Sequence, residues 1–268
     1  MLNYDFVFKK SKEAKIDRIT IEREYWQLLF LSRLYNEKGS EKLFFKGGTA
    51  IRFLLGSFRF SEDLDFTSIL PRKKTEELLI KTFSFYQKNT SFPLEFKKER
   101  VFKKLEEESL KYRFLFLPKN SSQKVSIRID VSLREKPQTK EESILIPFDY
   151  PISPYPLVVH LKKEEILAEK IRALFVREKP RDLFDLWFLL TKKVSPDSDL
   201  IKKKFKIYTG LKYSFSGLKK KIEGYTEGEL KRDLNQFLPE NYRNFYLKLK
   251  KETLRLLESN KKEEIIAP

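Results

Sequence analysis

The sequence predicts an α+β protein, with a mixed sheet and helices in its first half and a basic, mainly helical second half. Helical spacing of apolar residues, strands that alternate with period two, and a Pro-rich connector at Pro147–Pro156 predict that division. The expected lobes are residues 1–150 and 151–268. With 40% hydrophobic and 14% aromatic residues, a chain of 268 residues buries a core of its own instead of staying disordered.

From Asp17 to Tyr35, Ile21, Tyr25, Leu28, Leu29 and Leu31 mark a helix with one buried face, and Gly39 is the expected stop. The apolar run Leu43–Phe45 leads into the Gly47–Gly48 turn. A short helix is expected from Thr49 to Leu55, ended by Gly56, and a strand from Asp63 to Phe66. Pro71 precedes a helix over residues 75–88. Strands are expected near 94–101, 109–117 and 124–133, the last two forming a hairpin across Pro118–Gln123. In the third of these, Val125, Ile127, Ile129, Val131 and Leu133 share one face, while Ser126, Arg128, Asp130 and Ser132 share the other. Beyond the connector, helices are expected over 162–177 and 181–190, with mostly helical sequence after them and no internal repeat.

Composition removes several function classes. Without cysteine there are neither disulfides nor thiolate metal sites, and the single histidine, His160, argues against a zinc centre or a Ser–His–Asp triad. No apolar run has the length of a membrane span, and the start Met1–Asp5 lacks a signal pattern, so cytoplasmic residence is expected. The formal net charge of +17 favours a polyanionic partner, with solubility as the plainer explanation. Lys202–Lys204 and Lys219–Lys221 concentrate that charge around Phe205, Tyr208, Tyr213 and Phe215. Such aromatics either stack on bases or belong to the core.

The stretch Phe45–Phe66 carries most of the chemistry. Glycines before a helix let backbone N–H groups approach phosphate, which makes Gly47, Gly48 and Thr49 candidates for a phosphate cradle. Thr49 is also expected to cap its helix. Asp63 and Asp65, one residue apart on a strand, point to one face, and paired carboxylates repel unless a cation lies between them. They are the expected ligands of Mg²⁺ or Mn²⁺, with Asp130 as a third if its strand lies alongside. Ser61 caps a turn or sets a hydroxyl beside metal-bound phosphates.

Farther along, Ile166, Leu167, Ile171, Leu174 and Phe175 form an apolar stripe that contains Lys170. A lysine there snorkels to the rim or reaches toward an anion. Glu169 and Arg172 fall elsewhere, as solvated positions. Asp182 and Asp185 lie one turn apart near Arg177 and Arg181, where they complement a helix dipole or join a site.

These residues resemble a known family. Lys46-Gly47-Gly48-Thr49 followed by Arg59-Phe60-Ser61-Glu62-Asp63-Leu64-Asp65-Phe66 is similar to the signature of the AbiEii-type nucleotidyltransferase toxins. Ala168–Leu174 with Arg181–Leu186 resembles the family's C-terminal hallmark. The resemblance implies a polymerase-β-like nucleotidyltransferase lobe, a helical lobe and an active site in the cleft between them. It implies toxins of type IV toxin–antitoxin or abortive-infection systems, some of which transfer nucleotides from NTP to the 3′ end of tRNA. By position, Asp63 and Asp65 would hold Mg²⁺ and NTP, Lys170 would contact the triphosphate, and Asp182 would complete the catalytic set, with Asp185 as its alternative. Lys46, Gly47, Gly48, Thr49 and Ser61 would line the nucleotide. An antitoxin encoded next door is the expected protein partner. Transfer to a protein or small-molecule hydroxyl, and nucleic-acid binding without catalysis, remain as other readings.

Overall fold

The computed structural model describes residues 4–90, 93–99, 108–117, 124–144, 150–208 and 210–266. Two helices come first, α1 (Tyr4–Ala14) and α2 (Arg18–Tyr35). The Asp17 carboxylate starts α2 by accepting from the Thr20 amide at 2.9 Å, which satisfies a donor the helix leaves open. Ile21, Leu28 and Leu31 are fully buried along its inner face. The helix ends at Tyr35, whose hydroxyl lies 2.8 and 2.9 Å from the carbonyl oxygens of Leu43 and Val159. Gly39 therefore is not its stop. With φ +97° it begins a short 3₁₀ turn, Ser40–Lys42, that leads into the sheet.

Among the described residues, seven strands form one mixed sheet. They are β1 (Leu43–Lys46), β2 (Asp63–Ser68), β3 (Leu94–Lys98), β4 (Ser109–Phe116), β5 (Val125–Ser132), β6 (Glu141–Ile144) and β7 (Leu157–His160). Their spatial order is β3-β4-β5-β2-β1-β7-β6. The expected hairpin is the antiparallel pair β4–β5, although its Pro118–Gln123 loop lies outside the described residues. The end of the expected strand at Val101, and Pro147–Asp149 of the connector, lie outside them too. β2 runs parallel to β5 and antiparallel to β1, and β1 runs parallel to β7.

Buried Val125, Ile127, Ile129 and Val131 alternate with half-buried Ser126, Arg128 and Asp130, as period-two patterning requires. Helix α3 (Gly47–Leu55) joins β1 to β2 and is closed by Gly56 at φ +73°. It starts two residues earlier than expected, at the first glycine. Helix α4 (Arg72–Asn89) lies between β2 and β3 in the chain.

The chain divides into two compact units, one of Met1–Gly56 with Phe60–Leu161 and one of Ser57–Arg59 with Lys162–Pro268. The first holds the sheet. The second is helical: α5 (Lys163–Val176), α6 (Pro180–Thr191), α7 (Ser198–Lys206), α8 (Phe215–Glu223), α9 (Glu227–Leu234) and α10 (Tyr246–Ile266). Lys204 is 1% exposed and ion-paired to Glu165 and Glu169 at 2.6 and 2.8 Å, which pins α7 to α5. Arg172 is buried and donates to the Lys204 carbonyl at 3.2 Å. Glu169 and Arg172 are thus not solvated positions, because α7 covers their face of α5. Phe205 is buried against Phe175 and Tyr213, so it serves the core. No helix among the described residues is long and apolar enough to cross a membrane.

Candidate active site

In the first unit the site forms where β1 turns into α3 against β2. Gly47 sits at φ +80°, a conformation that favours glycine. A Cβ on Gly47 would fall 2.1 Å from Asp65 Oδ2, so the turn lies directly on the Asp65 carboxylate. Lys46 precedes the turn, stands opposite Asp65 in the β1–β2 register, and is largely buried. Gly48 and Thr49 are buried in the first turn of α3. The Thr49 hydroxyl donates to the Asp63 carbonyl instead of capping its own helix. Starting the helix at Gly47 puts Thr49 at its third position, where it faces β2. Gly47→Ala is expected to push Asp65 aside and lower nucleotide transfer at least tenfold. Kinetics on a variant shown to be folded by circular dichroism would check this.

The strand register answers a question that periodicity leaves open. Asp65 stands opposite Asp130 across the parallel β2–β5 pair, and Asp63 opposite Arg128. Asp63, Asp65 and Asp130 therefore share one face, all half-buried. Protein cations attend Asp130 and Asp63, and Lys46 stands opposite Asp65. Lys111 Nζ lies 3.0 Å from Asp130 Oδ2, and an Arg128 nitrogen lies 3.7 Å from Asp63 Oδ1. Among the described residues, no group of three or more His, Cys, Asp or Glu side chains is gathered closely enough to hold a metal by itself. A dedicated cage is not what Mg²⁺ needs when substrate phosphates and waters complete its shell around one or two carboxylates. The hard oxygen donors of Asp63 and Asp65, beside a turn that leaves no room for a Cβ, fit that mode of binding.

Helix α2 holds this region from beneath, and sequence reasoning missed how. Gln27 Nε2 donates to the Ser61 carbonyl at 3.0 Å. Arg23 donates to the Ser126 carbonyl at 3.1 Å and lies 3.4 Å from Glu62. Buried Glu24 is ion-paired with Arg52 of α3, whose guanidinium lies 3.6 Å from the Phe60 ring centre. One signal could have found Glu24 and Gln27. Both sit beside Ile21, Leu28 and Leu31 within an apolar stripe, as Lys170 does within its own. Glu24→Ala would leave the Arg52 charge buried and is expected to destabilise the protein by about 3 kcal/mol, read from urea unfolding.

The second unit gathers the remaining predicted residues around Lys170, which is buried on α5. Its Nζ lies 3.0 Å from Asp182 Oδ1 and 2.6 Å from Asp185 Oδ2, both on α6. Arg177 closes on Asp182 with two hydrogen bonds of 2.7 and 2.8 Å. Arg59 closes on Asp185 with two of 2.9 Å. Arg59, Asp182 and Asp185 are also buried. Burial acts against charge on Asp182, but Lys170 and Arg177 outweigh it and hold the carboxyl well below the usual range. Burial likewise opposes charge on Lys170, and Asp185 and Asp182 outweigh it and raise its pKa. Arg181 is not part of this chain of pairs: its amide donates to Asp233 at 3.0 Å and its guanidinium lies 5.5 Å from the Phe237 ring centre.

Comparison with known proteins bears on the whole chain. Similar solved structures include JHP933 from Helicobacter pylori, with a TM-score of 0.57 and 18% identity, covering 93% of this chain and 96% of that one. Another is MenT4, a nucleotidyltransferase toxin from Mycobacterium tuberculosis, with a TM-score of 0.64 and 19% identity, covering 96% of this chain and 90% of that one. At such identities they establish a shared fold. No curated protein matches. The family model described as the nucleotidyl transferase AbiEii toxin of type IV toxin–antitoxin systems matches residues 29–264, a span that includes both resembling motifs. The protein belongs to the AbiEii family and is a nucleotidyltransferase toxin of the type IV toxin–antitoxin class.

Proposed function

We propose that this nucleotidyltransferase uses metal-bound NTP at Asp63 and Asp65 and transfers nucleotides to an RNA acceptor, the 3′ end of tRNA in the first instance. The observation that carries the reading is the Asp63–Asp65 pair on β2, held under the Gly47 turn with Asp130 in register beside it. Bound there, Mg²⁺ or Mn²⁺ would neutralise phosphate charge and polarise the phosphorus–oxygen bonds. The chain's own groups bind and orient. Amides at the start of α3 face the nucleotide phosphates, and Lys46, Thr49 and Ser61 border them. Lys170 supplies positive charge for the triphosphate, and Asp182 keeps that lysine charged and in place. An acceptor hydroxyl attacks the α-phosphorus, the bond to the β-phosphate oxygen breaks, and pyrophosphate leaves with that electron pair.

The net charge of +17 supports RNA as the acceptor, and cytoplasmic residence goes with that reading. As a type IV toxin, the protein has an antitoxin as its counterpart. Incubating α-labelled NTP with Mg²⁺ and separated RNA, protein and small-molecule fractions tests the acceptor. Label in RNA is the expected result. Label only in protein or a small molecule would move the acceptor to that class, and label nowhere, with RNA still bound, would favour a binding protein without catalysis.

A further inference from the structure

We propose that an aromatic surface of the helical unit, built on Phe58 and Tyr242, stacks unpaired bases of a single-stranded RNA. It deepens the RNA-acceptor reading given above and rests on it. The 3₁₀ helix Glu240–Phe245 buries none of its residues although it carries two aromatics. Tyr242, 40% exposed, lies face to face on Phe58 with ring centres 4.2 Å apart and planes 25° apart. Beside them, Trp187 packs on Phe245 at 4.2 Å, with both rings half-buried. Phe58 also meets Phe184 edge-on at 5.1 Å, which fixes the lower ring of the stack on the core. The result is a part-exposed tyrosine ring backed by a second aromatic ring, as single-strand binders present to a base.

The surrounding groups select a polyanion. Lys192 Nζ lies 5.2 Å from the ring centre of Phe188, itself 6.3 Å from Phe58. Lys248 and Lys251 are exposed on the first turns of α10, and Asn241 and Asn244 offer exposed amides. Arg243 keeps its Nε buried with no hydrogen-bond acceptor among the described residues. Between Pro239 and Lys251 the chain carries Arg243, Lys248 and Lys251 against the single acid Glu240, while Lys250 donates to the carbonyls of Glu223 and Tyr225. That balance complements phosphates, and the stacked rings suit flat bases better than the irregular side chains of a protein partner.

A short single-stranded oligoribonucleotide containing 2-aminopurine tests the proposal with the full chain, since stacking quenches its fluorescence. Wild type is expected to bind and quench it. Tyr242→Ala and Tyr242→Leu are both expected to bind about tenfold more weakly, ~1.4 kcal/mol, and to lose the quenching. Wild-type affinity and quenching in both variants would overturn the platform. Recovery of affinity in Tyr242→Leu alone would overturn stacking too, leaving an apolar contact to the RNA in its place. Label transfer to RNA by wild type is measured in parallel. If no RNA is labelled while Tyr242 still governs oligonucleotide binding, the platform stands and the acceptor reading fails.

Discussion

Asp65→Ala is expected to abolish nucleotide transfer, by on the order of 10³-fold or more, without lowering stability. The two halves of that expectation come from one geometric fact. Asp65 faces Asp130 in register across a parallel strand pair, and Asp63 lies two residues away on the same face. Like charges across that pair repel, and losing the repulsion offsets what Asp65 gains from its own neighbours, Lys46 opposite it among them. A carboxylate kept at such a place serves more than the fold. Transfer kinetics and thermal unfolding of one preparation check both halves. Full activity in folded Asp65→Ala would remove the site assignment. A large fall in melting temperature would make the carboxylate structural.

Lys170→Met is expected to act on stability as well as on activity. Removing the ammonium leaves Asp182 and Asp185 buried with one partner each, Arg177 and Arg59. The loss is expected to be about 3 kcal/mol, near the low end for a broken buried network, because those arginines remain. Transfer measured well below the melting temperature should still fall about 100-fold, since the proposed triphosphate charge partner is gone.

The pH dependence of this network has a definite sign. The folded pKa of Asp182 lies below its unfolded value, near 3.8, so its stabilisation is present above that pH and is lost as pH falls through the folded value. Lys170 is raised above 10.5, so its part is present below that pH and lost as pH rises through its folded value. Stability of wild type relative to Asp182→Asn should therefore be constant from about pH 5 to 10 and shrink in acid. Urea unfolding midpoints at pH 3, 5 and 7 would measure it.

The strands and helices that could be read directly were those whose pattern is long. The alternation over Val125–Leu133 and the stripes around Leu28 and Ile171 need only local periodicity. The strands β6 and β7 have four residues each and flank the Pro-rich connector, too short for a period to show. Within the site, the residue types of Asp63, Asp65 and Gly47 declare their chemistry. What the sequence leaves dark is pairing across distance. Arg52 meets Glu24 from 28 residues away and Arg59 meets Asp185 from 126, and periodicity assigns a face without naming the partner on it. Lys204 shows the opposite error. It belongs to a lysine run that reads as basic charge for a polyanion, yet it is a buried staple between two helices.

The proposed chemistry requires the Asp63–Asp65 face of β2 to hold the metal with its nucleotide. Mn²⁺ binding followed by electron paramagnetic resonance, with NTP present, on wild type and the Asp63→Asn/Asp65→Asn double variant measures it most directly. Wild type is expected to bind a Mn²⁺–nucleotide complex that the double variant loses. Equal binding by both proteins would contradict it.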